Sequence, residues 1–245
     1  MSNATLALRG IAQRAARGYP RRVPVPFGVD WTLDLAHYLN GRELGVVLDV
    51  GAHHGETALA VAEAFPSAQL HSFEPVPESF DVLERTLAGT GARATRAAVS
   101  ERAGTIAIAR GEESFKSGVS APGERIEVPA VTVDGYCDER GIERIGLLKV
   151  DTEGHERAVL AGAQRRLEAG AVDFVLCECE FTRRPEEPHG DFSELLAQLA
   201  PLGYRVVSFY TGGADNLGWL FGDVLFMHAA GERDRRSFSQ RPDAR

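Results

Sequence analysis

Carboxylate and imidazole side chains are concentrated directly after two apolar runs of the sequence. The first run, Ile145–Val150, is followed by Asp151, Glu153, His155 and Glu156, and the second, Phe174–Cys179, carries Glu178 and Glu180 at its end. Residues two apart on a strand point to the same side, so the last two glutamates are expected to share a face. Carboxylates and imidazoles accept protons from hydroxyl groups, and carboxylates also bind hard cations such as magnesium. The pattern indicates a site with candidate groups for proton transfer or for binding a cation.

Three of these carboxylates, Asp151, Glu178 and Glu180, follow adjacent predicted strands and are expected to converge. Three carboxylates at close range cannot all stay ionised without a counter-charge, so either a cation binds or one of them has a raised pKa. We favour the metal-free alternative and predict Asp151, His155 and Glu180 as catalytic residues. If magnesium binds, its predicted ligands are Asp151, Glu178 and Glu180. Two interpretations of His155 stay open, a base that titrates near neutrality and a solvent-facing residue at a helix start.

A second chemical signal is the glycine-containing turn that follows the apolar run Val46–Val50. Gly51 and Gly55 allow a sharp turn and a close approach to a ligand, while His53 replaces the middle glycine of the dinucleotide-binding pattern. The carboxylate of Asp49 would repel a pyrophosphate but suits a ligand with an ammonium and a sulfonium. Glu74 stands 25 residues after Asp49, near the spacing at which an acid binds ribose hydroxyls. Unless the two acids only cap neighbouring turns, they predict an adenosine ligand without phosphates.

The elements that must position these residues alternate between strand and helix. The predicted core strands are Val46–Val50, Leu70–Phe73, Ala94–Val99, Ile145–Val150, Phe174–Cys179, Tyr204–Phe209 and Val224–Met227. The predicted helices are Trp31–Leu39, Glu56–Phe65, Pro77–Leu87, Glu156–Leu167 and Phe192–Leu199, and Thr105–Ala109 and Ile126–Val133 alternate like edge strands. Such alternation implies right-handed crossovers and a doubly wound, mostly parallel α/β sheet. Ligands of these sheets lie at the carboxyl ends of the strands.

The domain organisation is predicted as an N-terminal helical extension over residues 1–42, an α/β domain over 43–230 and a flexible tail over 231–245. The extension starts with a basic amphipathic segment, Met1–Gly18, which either docks over the site or is a solvated extension. This segment and the polar stretches Gly111–Arg125 and Thr211–Gly222 are the predicted walls of an acceptor pocket, because loops and termini usually build such pockets.

The composition of the chain limits the kinds of molecule that it is expected to bind and the compartment in which it is expected to work. The formal net charge of −8 argues against sequence-independent nucleic-acid binding, and no apolar run approaches the roughly 20 residues needed to span a bilayer. The three cysteines, an odd number without an extracellular signal, indicate free thiols in a reducing, cytoplasmic compartment. The sequence leaves the formation of a homo-oligomer open.

Four motifs together resemble the FkbM family of S-adenosylmethionine-dependent methyltransferases: DVGAHHGETAL, FEPVPESF, AAVS followed by TIAI, and LLKVDTEGHE. The resemblance covers Val46–Leu167 and extends more loosely to His228. It implies a class I methyltransferase fold with a Rossmann-like sheet of seven strands whose last hairpin is antiparallel. It also implies S-adenosylmethionine as cofactor and an O-methyl product on a sugar or natural-product hydroxyl.

The resemblance also implies roles for individual residues. Asp49, Gly51 and Gly55 would hold the methionine part, Glu74 the ribose, Ala98, Val99 and Ser100 the adenine edge, and Asp151 would border the transferred methyl; His53 is included among the cofactor-binding residues. Two rival hypotheses remain, a nucleotide-dependent oxidoreductase on the same architecture and a non-catalytic subunit that binds the cofactor. The acceptor is predicted to be a small molecule, but its identity is not encoded in one sequence.

Overall fold

Apolar runs separated by helical segments build a large sheet. The computed structural model describes residues 27–110, 124–182, 190–215 and 218–229. The strands in this part are β1 (Val46–Val50), β2 (Gln69–Phe73), β3 (Arg93–Thr95), β4 (Ala98–Val99), β5 (Gly104–Arg110), β6 (Glu124–Val131), β7 (Ile145–Val150), β8 (Val172–Glu180), β9 (Tyr204–Asp215) and β10 (Gly218–His228). Seven of them form one sheet in the order β3-β2-β1-β7-β8-β10-β9. Its first five strands are parallel and β10 is antiparallel to both neighbours, which confirms the predicted fold class.

Helices cover both faces of this sheet, as the doubly wound architecture requires. They are α1 (Trp31–Leu39), α2 (Glu56–Ala64), α3 (Pro77–Leu87), α4 (Val133–Arg140), α5 (Glu156–Ala161), α6 (Gln164–Glu168) and α7 (Phe192–Leu199). Leucine and valine side chains of α1, α2 and α3 pack on the face that carries Val47 and Leu147. Side chains of α4, α5, α6 and α7 pack on the opposite face, around Leu48 and Leu148. The three cysteines are buried and free, as predicted.

The prediction of one strand over Ala94–Val99 is wrong. The chain turns between β3 and β4, where the Ala97 amide donates to the Thr95 carbonyl at 3.0 Å. Strand β4 then leaves the large sheet and pairs with β6, which also pairs with β5, so a second sheet of order β4-β6-β5 forms. The two predicted edge strands therefore belong to this small sheet, whose apolar side chains Ile108 and Val128 cluster with Ala98 and Val76.

Two further boundaries differ from the prediction. The helix predicted over Glu156–Leu167 is divided into α5 and α6, and a Cβ on the intervening Gly162 would lie only 2.1 Å from the Ser100 carbonyl oxygen. The described parts of the predicted wall Thr211–Gly222 are strands and not loops, since residues 211–215 end β9 and residues 218–222 begin β10 of a long hairpin. Its glycines allow this, because a Cβ on Gly212 or Gly213 would collide with the Phe221 ring.

Three predictions concern residues outside the described ranges. These are the amphipathic segment Met1–Gly18, most of the wall Gly111–Arg125 and the tail over residues 231–245. Among the described ranges, no helix is long and apolar enough to cross a membrane.

Two buried aspartates hold helix α1 in place: Asp30 caps its start, and Asp34 connects it to the sheet. Asp30 caps the helix by accepting from the Thr32 amide at 2.9 Å. One turn further on, Oδ2 of Asp34 accepts from the Ser208 and Tyr210 hydroxyls of β9 and from the Gly28 amide, each at 2.8 Å. These bonds connect the start of the described chain to its last hairpin.

We predict that Asp34→Ala destabilises the fold by roughly 2–4 kcal/mol, because two hydroxyls and an amide lose their shared acceptor in a buried position. Urea denaturation measures the change in the free energy of unfolding. The control is Asp81→Ala, which removes an exposed carboxylate from α3. Equal unfolding midpoints for the two variants would contradict this account of Asp34.

Candidate active site

The carboxyl ends of β1 and β7 approach each other so closely that only glycine fits at the contact. Gly51 has φ +77°, and a Cβ at this position would lie 1.6 Å from the Asp151 carbonyl oxygen. The Asp151 amide in turn donates to the Val50 carbonyl at 3.0 Å. The two segments predicted to hold the cofactor and the acceptor are therefore in direct backbone contact.

Glu74, at the end of β2, is buried and connects the loops that follow β1 and β2. Its Oε2 accepts from the His53 amide at 2.9 Å, and its Oε1 accepts from the Val76 amide at 2.8 Å. Burial raises the pKa of this carboxyl to about 7, although the two amide hydrogen bonds oppose the shift. Glu74 thus gains or loses its charge near neutral pH.

A cavity of about 260 Å³ opens at these strand ends. The large sheet and the loops after β1, β2 and β7 form one part of its wall, and the small sheet forms another through Ile106 and Ile108 of β5. Its lining residues are Val50, Gly51, Ala52, His53, Glu56, Thr57, Phe73, Glu74, Pro75, Val76, Ala97, Ala98, Val99, Ile106, Ile108, Asp151, Thr152, Glu153 and His155. The two isoleucines were not predicted as site residues, although the alternation in TIAI indicates a strand with one apolar face.

The residues predicted to bind the cofactor divide into two groups. Gly51, His53, Glu74, Ala98, Val99 and Asp151 line the cavity, whereas Asp49, Gly55 and Ser100 are not among its described lining residues. Gly55 has φ +99° and lies against Leu83 and Thr86 of α3, so its lack of a side chain serves helix packing. Asp49 is buried inside the sheet, with its Oδ2 3.4 Å from the Ser72 hydroxyl.

Asp49 belongs to a group of charged side chains around one buried lysine. Lys149 is 4% exposed, and its Nζ lies 2.8 Å from Oδ2 of Asp151 and 3.6 Å from Oδ1 of Asp223. Asp49 is its cross-strand neighbour on β1. Burial alone would lower the pKa of Lys149, but the attraction of Asp151 and Asp223 outweighs burial and raises it well above its usual value. Burial raises the pKa of Asp49 to about 6, against the opposing effect of Lys149.

A carboxyl cluster forms at the cavity, but its members differ from the predicted ones. Oxygen atoms of Asp151, Glu153 and Glu178 lie within 4.8 Å of one another. Burial and then the charge of Asp151 raise the pKa of Glu178 to about 10, so this carboxyl is protonated at neutral pH. This raised pKa corresponds to the metal-free alternative predicted for such a cluster.

Glu180 is not part of this cluster. It shares a face of β8 with Glu178, but two residues along a strand displace it by about 6.6 Å. Its cross-strand neighbour is Phe221, whereas that of Glu178 is Asp223. The side chain of Glu180 is buried, and its amide donates to the Gly190 carbonyl at 2.9 Å. The expected convergence of Asp151, Glu178 and Glu180 is therefore wrong in its third member, which Glu153 replaces.

The loop after β7 is shaped by the buried carboxylate of Glu156. Its Oε1 accepts from the Thr152 amide, the Thr152 hydroxyl and the Gly154 amide, each at 3.0 Å. Its Oε2 accepts from the Gly190 amide at 3.0 Å. This arrangement holds Glu153 in a left-handed conformation with φ +53°, which is costly for a residue with a side chain.

His155 lines the cavity instead of facing bulk solvent. Its Nε2 lies 2.9 Å from the Ser100 hydroxyl, and burial lowers the pKa of its imidazole. A neutral ring at physiological pH follows from this environment. His155 is the N-cap of α5, as expected of a residue at a helix start, and it is half-buried; its role in proton transfer stays a prediction.

Two charged residues of the site, Lys149 and Asp223, were missed from the sequence. A signal for Lys149 was present, because the chain has only two lysines among its 27 basic residues and this one is the only charged residue in IGLLKV. Asp223 had a similar signal, because it is the only charged residue in GWLFGDVLFM of β10. Charged side chains rarely enter core strands unless they are paired.

This sheet order, with an acid-lined cavity at the carboxyl ends of β1, β2 and β7, defines the class I methyltransferase fold. The comparison with known families goes further: a model described as the methyltransferase FkbM domain matches residues 49–206. The chain therefore belongs to the FkbM methyltransferase family, as the sequence motifs indicated.

The chain is 32% identical over 209 residues to 31-O-demethyl-FK506 methyltransferase FkbM of Streptomyces tacrolimicus, a match that covers 71% of this chain and 78% of that protein. It is 31% identical to methyltransferase sdnD of Sordaria araneosa, over 47% of this chain and 59% of that one. It is 28% identical to 2-O-methyltransferase NoeI of Sinorhizobium fredii, over 50% and 58% of the two chains. For the last two relatives, the matched part spans less than two thirds of their length.

We predict that Glu178→Gln stabilises the protein by roughly 1–3 kcal/mol at pH 8. Between its ordinary pKa near 4.5 and its folded value of about 10, Glu178 must take up a proton on folding, so its contribution to stability falls as the pH rises. Glutamine keeps a neutral donor without this requirement. Denaturation at pH 6 and pH 8 should show a gain that grows with pH. A gain that is independent of pH, or equal to that of the exposed Glu84→Gln control, would refute the raised pKa.

Proposed function

We propose that this protein transfers a methyl group from S-adenosylmethionine to a hydroxyl group of a small molecule. The observation that carries the proposal is the buried carboxylate of Glu74 in the wall of a cavity that also contains the Gly51 turn and Asp151. Membership of the FkbM family supports methyl transfer, and the positions of these three residues support the cofactor and the type of acceptor.

Glu74 fits the ribose of an adenosine ligand. A carboxylate offers about four acceptor positions, and two backbone amides use one position on each oxygen of Glu74. The remaining positions suit the two neighbouring hydroxyls of a ribose. The apolar side chains of Val76, Ala98, Ile106 and Ile108 supply a surface for an adenine ring on the adjoining wall.

The charge of the cavity favours a cationic cofactor over a dinucleotide. Its wall contains the carboxyl groups of Glu56, Glu74, Asp151 and Glu153, and the loop after β1 lacks the middle glycine of a pyrophosphate cradle. Carboxylates repel a pyrophosphate, whereas they attract the ammonium and sulfonium groups of S-adenosylmethionine. These features argue against the oxidoreductase hypothesis.

Asp151 is the best-placed proton acceptor. When bound, S-adenosylmethionine supplies an activated methyl group on a positive sulfur. The carboxylate of Asp151 would accept the proton of the acceptor hydroxyl. The hydroxyl oxygen would bond to the methyl carbon as the carbon–sulfur bond breaks, and the electron pair of that bond would be left on sulfur. A cofactor-binding subunit without catalytic activity would not need a charged carboxylate at this position.

The charge balance favours a mechanism without a metal ion. The Lys149 ammonium is paired with Asp151, and the raised pKa of Glu178 removes a second negative charge from the cluster. Two relatives are a 31-O-demethyl-FK506 methyltransferase and a 2-O-methyltransferase, and these activities support an oxygen acceptor on a natural product or a sugar.

The cofactor is tested by calorimetry with S-adenosylhomocysteine and with NADH, of which only the first should bind.

Glu74→Ala should weaken the binding of S-adenosylhomocysteine by roughly 2–4 kcal/mol, about 30- to 1,000-fold. The parent protein should bind more tightly as the pH rises through about 7, because ribose hydroxyls donate to the ionised carboxylate and a protonated Glu74 must first lose its proton.

Glu74→Gln is the matched control, since it keeps the shape of the side chain and should bind with less dependence on pH. Tight binding of NADH without a response to S-adenosylhomocysteine would overturn the proposed cofactor. Affinity of Glu74→Ala within threefold of the parent would show that Glu74 only connects the two loops.

The acceptor chemistry is tested with labelled S-adenosylmethionine and a panel of hydroxyl-bearing sugars and macrolides. Asp151→Asn should lower kcat by about 10²–10⁴-fold, the contribution typical of a general base. Excess EDTA should leave the parent's activity intact, and His155→Ala should lose less activity than Asp151→Asn because its imidazole is engaged by Ser100. Complete loss in EDTA that magnesium reverses would overturn the metal-free mechanism, and full activity of Asp151→Asn would remove Asp151 from it.

A further inference from the structure

Lys149 is a buried cation at the boundary between the two halves of the site. Its side chain is 5% exposed, compared with 37% for Asp151 and 31% for Asp223. The lysine is not among the described lining residues of the cavity, and its ammonium lies 2.8 Å from the carboxylate of Asp151, which is one of them.

The sheet register explains why one ammonium can serve several acids. Asp49 and Lys149 are cross-strand neighbours on β1 and β7, on the face that also carries Val47 and Leu147. Asp223 enters from β10, directly opposite Glu178 of β8. Asp151 follows β7 immediately, so its carboxylate reaches back to Lys149 from the cavity edge.

We propose that Lys149 is a positioning residue for methyl transfer, which holds the Asp151 carboxylate in the orientation that accepts the acceptor's proton. This inference rests on the proposed function, in which Asp151 is the base. A hydrogen-bonded ion pair at 2.8 Å fixes the carboxylate more strongly than a neutral partner would. Fixed orientation of a reacting group supplies a large part of the rate in a direct displacement.

A purely structural role does not explain the lysine well. Buried ion pairs are often replaced by apolar residues without loss of stability, and the neighbours Leu147 and Leu148 show that this strand accepts apolar side chains. The charge of Lys149 lies instead where its ammonium reaches Asp151, a carboxylate of the cavity wall.

The test is a double-mutant cycle of Lys149→Met and Asp151→Asn, assayed with the panel compound of highest turnover. Lys149→Met should lower kcat at least tenfold, with the acceptor KM and the affinity for S-adenosylhomocysteine within threefold of the parent. Lys149→Met should cause no further loss in the Asp151→Asn background, because the lysine acts through that carboxylate. Lys149→Arg, which keeps the charge, should recover part of kcat.

Arg166→Met is the matched control, because Arg166 is another buried cation, paired with Asp134 and Asp138 away from the cavity lining. It should lower stability without lowering kcat. If Lys149→Met does not fold, Lys149→Met/Asp223→Asn, which removes one charge of each sign, is compared with Asp223→Asn by the same readouts.

Crystal structures of the parent and of Lys149→Met give a readout that needs no acceptor, and the Asp151 carboxylate should be reoriented in the variant. An unchanged carboxylate, a kcat within threefold of the parent, or an equal further loss in the Asp151→Asn background would overturn the role of Lys149. Full activity of Asp151→Asn would instead overturn the proposed base, so the two failures are distinguishable.

Discussion

The backbone contact between Gly51 and Asp151 determines how the rest of the site is built. Parallel pairing of β1 with β7 brings the two strand ends side by side, and a Cβ on Gly51 would lie 1.6 Å from the Asp151 carbonyl oxygen. The loop after β1 and the loop after β7 must therefore diverge from the same point. The cavity lies where they part, so one wall comes from the loop after β1 and the other from the loop after β7, which contributes Asp151 and Glu153.

Charge is the second constraint, because this contact places several acids in a region of low solvent access. Three carboxylates, those of Asp49, Asp151 and Asp223, face one ammonium, and each unpaired buried charge would be destabilising by several kcal/mol. The protein meets this constraint with the pairing of Lys149, a proton on Glu178 and a raised pKa for Asp49. Asp151 is the most exposed member of the ion pairs with Lys149, and it lines the cavity.

Sequence patterns predicted the parts of this arrangement that depend on neighbours along the chain. The runs Val46–Val50 and Ile145–Val150 form strands with the predicted bounds, since a continuous apolar run needs burial on both faces. Glu74 was located by its spacing from Asp49. The departure of β4 from the large sheet was not visible, because pairing with β6 depends on a strand about 30 residues away. For a similar reason, the sequence did not reveal that Glu153 and not Glu180 is the third member of the carboxyl cluster, because its position depends on how the loop after β7 folds back.

The two loops that form the cavity are stabilised by the same device. Each contains a residue other than glycine in the left-handed region, His53 with φ +46° after β1 and Glu153 with φ +53° after β7. In each case a buried carboxylate from the next part of the chain accepts backbone amides of the loop, Glu74 from His53 and Glu156 from Thr152 and Gly154. A strained loop persists only where its surroundings over-determine it, and a buried carboxylate with several amide donors meets that requirement. Glu156 is occupied fully by this structural role, whereas Glu74 also faces the cavity. This difference explains why two glutamates in similar positions are assigned different functions.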